Sequence, residues 1–271
     1  MKSPSRKLPP SVFKKKLIVF DLDGTLAETK SNITPGMAKA LVALLTIKKV
    51  AVISGGKYEL FRKQLVGKLK CPPAILSRLF LFPTTATAFY RFEKKGWKKV
   101  YGLELAKAER KAATEAFKEV LKEINYVQPA KTYGKIIEDR KTQVTFSALG
   151  QDVVVALGQK GVLLKKKWTR ENTPLKLRIA KLVQKRLPKL EVRAAGYTSI
   201  DVTRKGIDKA YGLHQIERHL HVPIKDMLFI GDAIFPGGND YAARRTGVKC
   251  IPIRTPSEAQ ALIKKIVAAG Q

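Results

Sequence analysis

The chain has 271 residues and carries 53 Lys and Arg against 22 Asp and Glu, which gives a formal net charge of +31. This length suits one large α/β domain or two smaller ones, and an apolar content of 45% is enough for a full core. Cys71 and Cys250 lie far apart without CxxC spacing, which argues against a disulfide framework or a zinc site and fits a reducing compartment.

The positive charge is spread along the whole chain. It predicts attraction to anions, which include nucleic acid, anionic membrane and phosphorylated metabolites, and a basic or salt-rich cellular milieu would explain it equally well. Residues 1–14 are basic and contain Pro and Ser, so we expect a short disordered leader. Because no apolar run is long enough for a signal peptide or a membrane span, we expect a cytoplasmic protein without a membrane partner.

The first part of the chain alternates strands and helices. Short apolar runs predict strands at 17–20, 50–53 and 79–82. Thr34-Pro35 is a good helix start, with Thr at the N-cap and Pro after it, and helices follow at 35–48 and 58–69. Strands that alternate with helices indicate a parallel sheet with right-handed crossovers.

The pattern changes after residue 84 and returns near residue 205. The middle part predicts a hairpin at 89–92 and 98–101, a helix at 105–124, strands at 135–139 and 143–148, a helix at 173–187 and an extended segment at 191–202. Helices at 206–220, 239–246 and 257–269 and strands at 227–230 and 250–253 complete the chain. The predicted fold is α/β: a Rossmann-like parallel-sheet core (15–84 and 204–271) with an inserted α+β cap domain (85–203).

Two aspartates follow the first predicted strand directly. Asp21 and Asp23 are two residues apart and therefore face the same side of an extended chain. Two such carboxylates repel each other, and a divalent cation is the usual counter-charge. Taken alone, the pair could equally be a capping feature at a strand-to-turn junction.

Four motifs in order give the pair a context. Asp21-Leu-Asp-Gly-Thr is followed by Ser54 in Val-Ile-Ser-Gly-Gly, by Lys209 in Gly-Ile-Asp-Lys and by Gly-Asp232 with Asn-Asp240. This series resembles the haloacid dehalogenase superfamily of phosphotransferases, and the inserted segment is where subfamily IIB carries its C2b-type cap. Each motif alone has an ordinary structural explanation, such as a turn, a solvated lysine or a helix cap.

The resemblance implies a role for each motif residue. Asp21 is the nucleophile that forms an aspartyl-phosphate, and Asp23 is the acid and base. Ser54 and Lys209 hold the phosphoryl oxygens, and Thr25 and Gly55 lie against the substrate. Mg²⁺ is the expected cofactor, because it prefers hard oxygen ligands. The implied metal ligands are Asp21, Asp23 through its main-chain carbonyl, Asp232 and Asp240.

Two stretches resemble the eukaryotic-type phosphomannomutases within this superfamily. One is the loop 236–240, which includes Asn239, and the other is the cap stretch around Arg140. Arg140 matches an arginine that binds a distal phosphate, although a cross-strand pair with Glu138 would explain it as well. Ser147 belongs to the same cap stretch, and Ser199 and Asp201 match further sugar-phosphate ligands.

Departures from the mutase pattern favour a sugar-phosphate phosphatase. Gln151 stands where the mutases carry a second arginine, the second motif differs, and residues 84–87 replace their Asn-Gly. A mutase must hold a bisphosphate in two orientations, so a lost cation weakens that function most. The alternatives are a phosphohexomutase and a basic nucleic-acid-binding protein with a polynucleotide-phosphatase or vestigial site. The resemblance also implies a possible homodimer through the cap.

Overall fold

The computed structural model describes residues 9–94 and 96–270. The strands are β1 (Leu17–Phe20), β2 (Lys49–Ile53), β3 (Leu79–Phe82), β4 (Ala88–Glu93), β5 (Gly96–Gly102), β6 (Ile137–Asp139), β7 (Val144–Ser147), β8 (Leu190–Ala195), β9 (Ser199–Arg204), β10 (Met227–Gly231) and β11 (Lys249–Pro252). The helices are α1 (Pro10–Phe13), α2 (Pro35–Ile47), α3 (Tyr58–Gln64), α4 (Pro73–Leu76), α5 (Pro83–Ala86), α6 (Lys107–Glu123), α7 (Val153–Leu157), α8 (Gln159–Arg186), α9 (Lys209–Leu220) and α10 (Pro256–Ala268).

Two sheets organise these elements. The large sheet has the order β11-β10-β1-β2-β3-β4-β5, and its first five strands are parallel. The small sheet has the order β6-β7-β9-β8 and is antiparallel. The fold is therefore an α/β parallel-sheet core with a second, α+β unit inserted between β5 and α9, as the sequence predicts.

Strand β1 shows why the core strands are almost continuously apolar. All four of its residues are buried, because both faces of the sheet are covered. Ile18 and Phe20 pack on the face that carries α2 and α10, whereas Leu17 and Val19 pack on the face that carries α9. The alternation of side chains along a strand sends neighbouring residues to opposite layers.

The inserted unit has its own core. Val144, Phe146, Ile200 and Val202 of the small sheet pack against apolar side chains of α6 and α8, including Phe117. The unit is joined to the large sheet through residues 103–106 and 205–208, which lie outside helices and strands. It is a separate packing layer rather than an extension of the core.

The predicted boundary of the cap at residue 85 differs from the structure. The hairpin β4–β5 pairs antiparallel with β3 and continues the large sheet. Phe89 of β4 stacks on Phe82 of β3 with ring centroids 4.4 Å apart, and Tyr90 stacks on Tyr58 of α3 at 3.7 Å. The strand pairing and these stacked rings place the hairpin in the core rather than in the cap.

Helix α8 is longer than the predicted helix at 173–187. Thr173-Pro174 has the character of a helix start, yet Pro174 lies inside the helix. Nearby side chains bond to the preceding turn: Thr173 Oγ1 donates to the carbonyl of Thr169 at 2.6 Å, and Asn172 Nδ2 donates to that of Trp168 at 3.0 Å. Packing of Trp168 and Ile179 in the cap core holds both halves of the helix in place.

Two smaller expectations also change. The extended segment predicted at 191–202 is a hairpin, β8–β9. Part of the predicted leader is ordered, since α1 places Val12 in the core, whereas residues 1–8 lie outside the described residues. Among residues 9–94 and 96–270, none of the helices combines the length and apolarity that a membrane crossing requires.

Candidate active site

The site lies where three parallel strands end. Asp21 follows β1, Ser54 follows β2 and Asp232 follows β10. Because β1 lies between β2 and β10, the connections after β1 and β10 leave the sheet on opposite sides of β1, which opens a crevice at the ends of these strands. Open α/β sheets bind their ligands in a crevice of this kind. The strand order therefore brings together residues that are up to about two hundred positions apart in the sequence.

Three carboxylates meet in this crevice. Asp21, Asp232 and Asp240 each offer an oxygen, and these oxygens lie within 4.8 Å of one another. Burial raises the pKa of Asp21 well above its usual range; Lys209 opposes this increase, and the neighbouring charges of Asp240 and Asp232 add to it. Burial, together with Asp240, also raises the pKa of Asp232.

Lys209 supplies a positive charge to the same group. Its ammonium lies 2.5 Å from Asp21 Oδ1 and 3.1 Å from Asp240 Oδ1, and it donates to the carbonyl of Ile53 at 2.7 Å. The side chain is 2% exposed. Burial by itself would lower its pKa, but Asp21 and Asp240 outweigh burial and raise it.

The start of helix α9 positions this lysine. Asp208 is the N-cap residue and accepts a hydrogen bond from the Tyr211 amide at 3.0 Å, and Arg245 pairs with the other oxygen of Asp208. Lys209 is then the first residue of the helix, and its side chain extends towards the ends of β1 and β2. An ordinary capping residue thus fixes the position of the buried ammonium.

Two glycines allow the acids to approach so closely. A Cβ atom on Gly24, whose φ is +92°, would lie 2.3 Å from Asp232 Oδ2. A Cβ atom on Gly231 would lie 2.3 Å from Asp240 Oδ2. Thr25 completes the turn and donates from Oγ1 to Asp232 Oδ1 at 3.2 Å. Any side chain at either glycine would push the carboxylates apart.

The donor set fits a hard divalent cation. Three carboxylates with one ammonium leave two negative charges in a buried space, and oxygen ligands of this kind are those that Mg²⁺ takes. Asp21, Asp232 and Asp240 would hold the ion. The Asp23 side chain is not a member of the cluster: its Oδ1 accepts a hydrogen bond from the Lys30 amide at 2.5 Å.

The inserted unit lies over the second motif. Arg140 donates from Nη1 to the carbonyl of Gly55 at 3.1 Å, from Nε to Glu138 at 2.8 Å and from Nη2 to Gln151 Oε1 at 2.9 Å. The sequence allowed two roles for Arg140, a ligand of the substrate's distal phosphate and a cross-strand partner of Glu138. The structure contains the pair with Glu138, and the same guanidinium also reaches the Gly55 carbonyl of the core. Ser54 is buried beside this contact.

Asp201 is close to the same place. Its Oδ2 would lie 3.8 Å from a Cβ atom on Gly55, and its Oδ1 accepts a hydrogen bond from Thr145 Oγ1 at 2.7 Å. Burial raises the pKa of Asp201, and the charge of Arg140 opposes this increase. The structure therefore brings Arg140 and Asp201 together above Gly55.

Other predicted substrate ligands are not brought to this place. Ser147 is buried and bonds to the carbonyl of Gly150 and to Thr198 within the cap. Ser199 pairs with Ser147 in the small sheet, and Asn239 is exposed in its loop. Ser147 therefore has a structural role in this arrangement, since its hydroxyl is already bonded inside the cap.

Two lysines that the sequence did not single out lie at the boundary between cap and core. Lys30 donates from Nζ to the carbonyl of Gln151 at 2.6 Å. Lys165 of α8 is 2% exposed and acts electrostatically on Lys30 and Asp23. No pattern marks them, because Lys30 lies in a loop and Lys165 is one of three consecutive lysines.

Comparisons with known proteins agree with this geometry. A family model described as haloacid dehalogenase-like hydrolase matches residues 18–242. The chain is 25% identical over 228 residues to a probable phosphomannomutase of Caenorhabditis elegans, which covers 83% of this chain and 84% of that protein. It is 27% identical over 233 residues to a phosphomannomutase of Encephalitozoon cuniculi, with 84% and 83% covered.

Solved structures support the fold. A haloacid dehalogenase-like hydrolase from Bacteroides thetaiotaomicron aligns with a TM-score of 0.59 and 16% identity over 93% of this chain and 100% of that chain. An IMP-bound IMP-nucleotidase of Plasmodium falciparum aligns with a TM-score of 0.66 and 15% identity over 94% and 68%. The chain therefore belongs to the haloacid dehalogenase-like hydrolases, in their phosphomannomutase-like branch, and is a phosphoryl-transfer enzyme of the phosphatase or phosphomutase kind.

Proposed function

We propose that this enzyme is a Mg²⁺-dependent phosphatase that hydrolyses a sugar phosphate through an aspartyl-phosphate on Asp21. The observation that carries the proposal is the group of Asp21, Asp232 and Asp240 at the ends of the core strands, two of which, Asp21 and Asp240, are buried and pair with Lys209. A nucleophilic carboxylate, a cation site and a phosphate-binding ammonium are three elements that phosphoryl transfer needs in one place.

The chain's own residues divide the reaction into two displacements. Asp21 attacks phosphorus, the bond between phosphorus and the sugar oxygen breaks, and Asp23 gives its proton to that oxygen. Asp23 then takes a proton from water, the water oxygen attacks phosphorus, and inorganic phosphate leaves as the Asp21 carboxylate is restored. Lys209 and Ser54 stabilise charge on the phosphoryl oxygens. When bound, Mg²⁺ supplies Lewis-acid charge neutralisation.

The arrangement of the cap favours hydrolysis over mutase activity. Gln151, which replaces a cationic position of the mutases, accepts hydrogen bonds from both Arg140 and Lys30. Arg140 therefore has protein acceptors at each of its donor groups, whereas a mutase must offer such a group to both ends of a bisphosphate. The phosphomannomutase relatives support the second candidate, a phosphohexomutase.

The test follows two products at once. The protein is incubated with Mg²⁺ and mannose 1-phosphate or glucose 1-phosphate, with and without a hexose bisphosphate, and free phosphate and hexose 6-phosphate are measured. We expect phosphate release that Asp21→Asn abolishes. Bisphosphate-dependent hexose 6-phosphate without phosphate release would instead establish the mutase. A homodimer through the cap and a nucleic-acid partner stay predictions.

A further inference from the structure

Helix α8 has a strongly basic surface. Its 28 residues, Gln159–Arg186, include ten Lys and Arg and one acid, Glu171. Several of these cations are exposed and form no ion pair within residues 9–94 and 96–270: Lys160, Lys166, Lys167, Arg170, Arg178, Lys181 and Lys185. At a rise of about 1.5 Å per residue they extend over roughly 40 Å of the surface.

Large apolar side chains protrude between these cations. Leu163 is 65% exposed and Leu177 is 53% exposed, and Leu164 is exposed as well. Leu163, Arg170 and Leu177 are seven residues apart, so they lie along one side of the helix with a drift of about 20° per step. Leucine side chains gain free energy when they leave water. Together these cations and leucines form the outer face of α8.

The neighbouring helix α6 carries a different surface. It packs beside α8 in the core of the inserted unit, but its charges are nearly balanced, with five Lys and Arg against four Glu. Its large apolar side chains, Phe117, Val120 and Leu121, are buried or half-buried. The excess of positive charge and the exposed leucines are therefore a property of α8 and not of the whole unit.

These features restrict the kind of partner. A second copy of the same face would bring like charges together, which is unfavourable. Nucleic acid would use the cations, but leucines add nothing to contacts with a phosphate backbone, and Trp168 of this helix is buried away from any base. A bound peptide helix requires a groove, whereas this face is the convex side of one helix. An anionic bilayer offers both phosphates for the cations and an apolar layer for the leucines.

We propose that the outer face of α8 binds the enzyme to the surface of an anionic lipid bilayer. Leu163 and Leu177 insert between the lipid headgroups, and the surrounding lysines and arginines bind the anionic groups of the lipids. Long lysine side chains let the helix backbone lie deeper than their charged ends. The expectation of no membrane partner rested on the lack of a spanning segment, which a helix lying on a bilayer does not need.

The outer face is directed away from the catalytic crevice. Lys165 follows Leu163 by two residues and therefore lies about 200° around the helix from it. Lys165 is 2% exposed and acts electrostatically on Lys30 and Asp23. The inner side of α8 thus faces the boundary with the core, and a bilayer on the outer side would not cover the catalytic acids. The inference does not depend on which phosphoryl transfer the enzyme catalyses.

Flotation of the full chain with lipid vesicles tests the proposal. We expect binding to phosphatidylcholine vesicles with about 30% phosphatidylserine, and little binding to phosphatidylcholine alone. The double variant Leu163→Gln with Leu177→Gln keeps the charge and should weaken binding about tenfold or more. Lys167→Glu with Lys181→Glu should weaken it at least as much, by about tenfold. Gln and Glu are good helix formers, so circular dichroism and phosphate release should match wild type.

Matched controls lie outside the face. Lys111→Glu with Lys122→Glu makes the same change in net charge at exposed positions of α6, and Val127→Gln removes an apolar side chain that is 87% exposed. Both should bind within about threefold of wild type, because neither lies at the contact and salt screens the more distant charges.

Three results would overturn the proposal. One is the absence of binding to the anionic vesicles. Another is an equal loss for the charge variants of α6 and α8, which would mean that the overall charge of +31 attracts the vesicles without a defined face. The last is full vesicle binding by the leucine variant together with oligonucleotide binding that the α8 charge variant abolishes, which would assign the face to nucleic acid.

Discussion

Single residues at this site are explained by buried charge. The ammonium of Lys209 forms ion pairs with two of the three carboxylates in the crevice, at 2.5 Å from Asp21 and 3.1 Å from Asp240. Within residues 9–94 and 96–270, Lys209 is the cation that forms ion pairs with both Asp21 and Asp240. Its role in stability is therefore separable from its role in phosphate binding.

We expect Lys209→Met to lower the free energy of unfolding of the metal-free protein by about 3–5 kcal/mol, since buried carboxylates lose their partner. Urea unfolding in the presence of a chelator measures this loss. Lys205→Met, at an exposed position near the start of the same helix, is the control and should stay within about 0.5 kcal/mol of wild type. Mg²⁺ should recover part of the loss, because it supplies positive charge to the same oxygens. If Lys209→Met and the Lys205→Met control were equally stable, with and without the chelator, the charge argument would be contradicted.

The pH dependence of stability reports on Lys165. The pKa of Lys165 is about 7 in the folded protein, against 10.5 for an ordinary lysine. Between these values the unfolded chain holds a proton that the folded chain has released, so stability rises with pH across this window. We expect Lys165→Met to be more stable than wild type at pH 7, and this advantage should shrink by about 3 kcal/mol between pH 7 and pH 9.5.

Comparing the wild-type protein with Lys165→Met isolates the titration of the Lys165 ammonium. Lys30 and Lys176 also have lowered pKa values and titrate in the same direction, but they are present in both proteins. Thermal melting at a series of pH values without anionic buffers is the measurement. A difference between the proteins that does not change with pH would mean that Lys165 is not a buried titrating lysine.

At the scale of elements, α5 is a strained turn beside the second motif. Three consecutive residues in it have left-handed backbone angles: φ is 48° at Thr84, 55° at Thr85 and 62° at Ala86. Such angles are costly for β-branched residues and persist where neighbours fix them. Here the amide of Thr85 donates to the carbonyl of Ser54 at 2.9 Å, and Thr142 of the cap donates to Thr84 Oγ1 at 2.9 Å.

We expect Thr85→Gly to raise the free energy of unfolding by about 0.5–1 kcal/mol, because glycine adopts a φ near 55° without strain. The greater flexibility of glycine in the unfolded chain offsets part of this gain. Chemical denaturation measures the change. Thr87→Gly is the matched control in the same turn: its φ is −75° and its hydroxyl bonds to the Thr84 carbonyl, so it should destabilise. Destabilisation by both variants to the same extent would show that Thr85 is not strained.

At the scale of the whole molecule, a few polar contacts hold the cap against the core. Glu138 of the cap lies 2.6 Å from the Lys57 ammonium of the core and 2.8 Å from Arg140 Nε. Burial would raise the pKa of Glu138, but the hydrogen bond from Lys57 and the charge of Arg140 outweigh it and lower the pKa. The carboxylate is thus charged at neutral pH and links the two units.

Glu138→Gln should loosen this arrangement. Lys57 is 40% exposed, so the pair contributes at most about 1 kcal/mol, and we expect partial opening rather than unfolding. Small-angle X-ray scattering should show a larger radius of gyration, and hydrogen exchange should increase at 103–106 and 205–208. Glu115→Gln, whose partner Lys118 lies on the same helix, is the control. Identical scattering from both variants would exclude Glu138 as a contact that holds the cap closed.

The large positive charge belongs to this scale as well. Most of the lysines in the described residues are exposed on the surface. Lys30, Arg140 and Lys165 form a small cationic group at the boundary between the cap and the core.

The sequence by itself determined the core strands, the four motifs and the family. β1 and β3 have the predicted bounds, because an apolar run flanked by polar residues identifies a buried strand. Motif residues were identifiable because their spacing and order are unusual. The boundary of the cap and the length of α8 were not, since hairpin β4–β5 and the segment before Pro174 depend on contacts that are distant in sequence.

Only the tertiary structure distinguished residues of the same type. Lys165, Lys166 and Lys167 are equivalent in the sequence, and the packing of α8 on the small sheet buries one ammonium and leaves two in solvent. Likewise, Ser147 and Asp201 were both predicted ligands and lie on the same face of the small sheet, yet the Ser147 hydroxyl bonds to Gly150 and Thr198 inside the cap whereas Asp201 lies next to Gly55. Burial and direction are properties of the packed chain, and they decide which charges are available to a ligand.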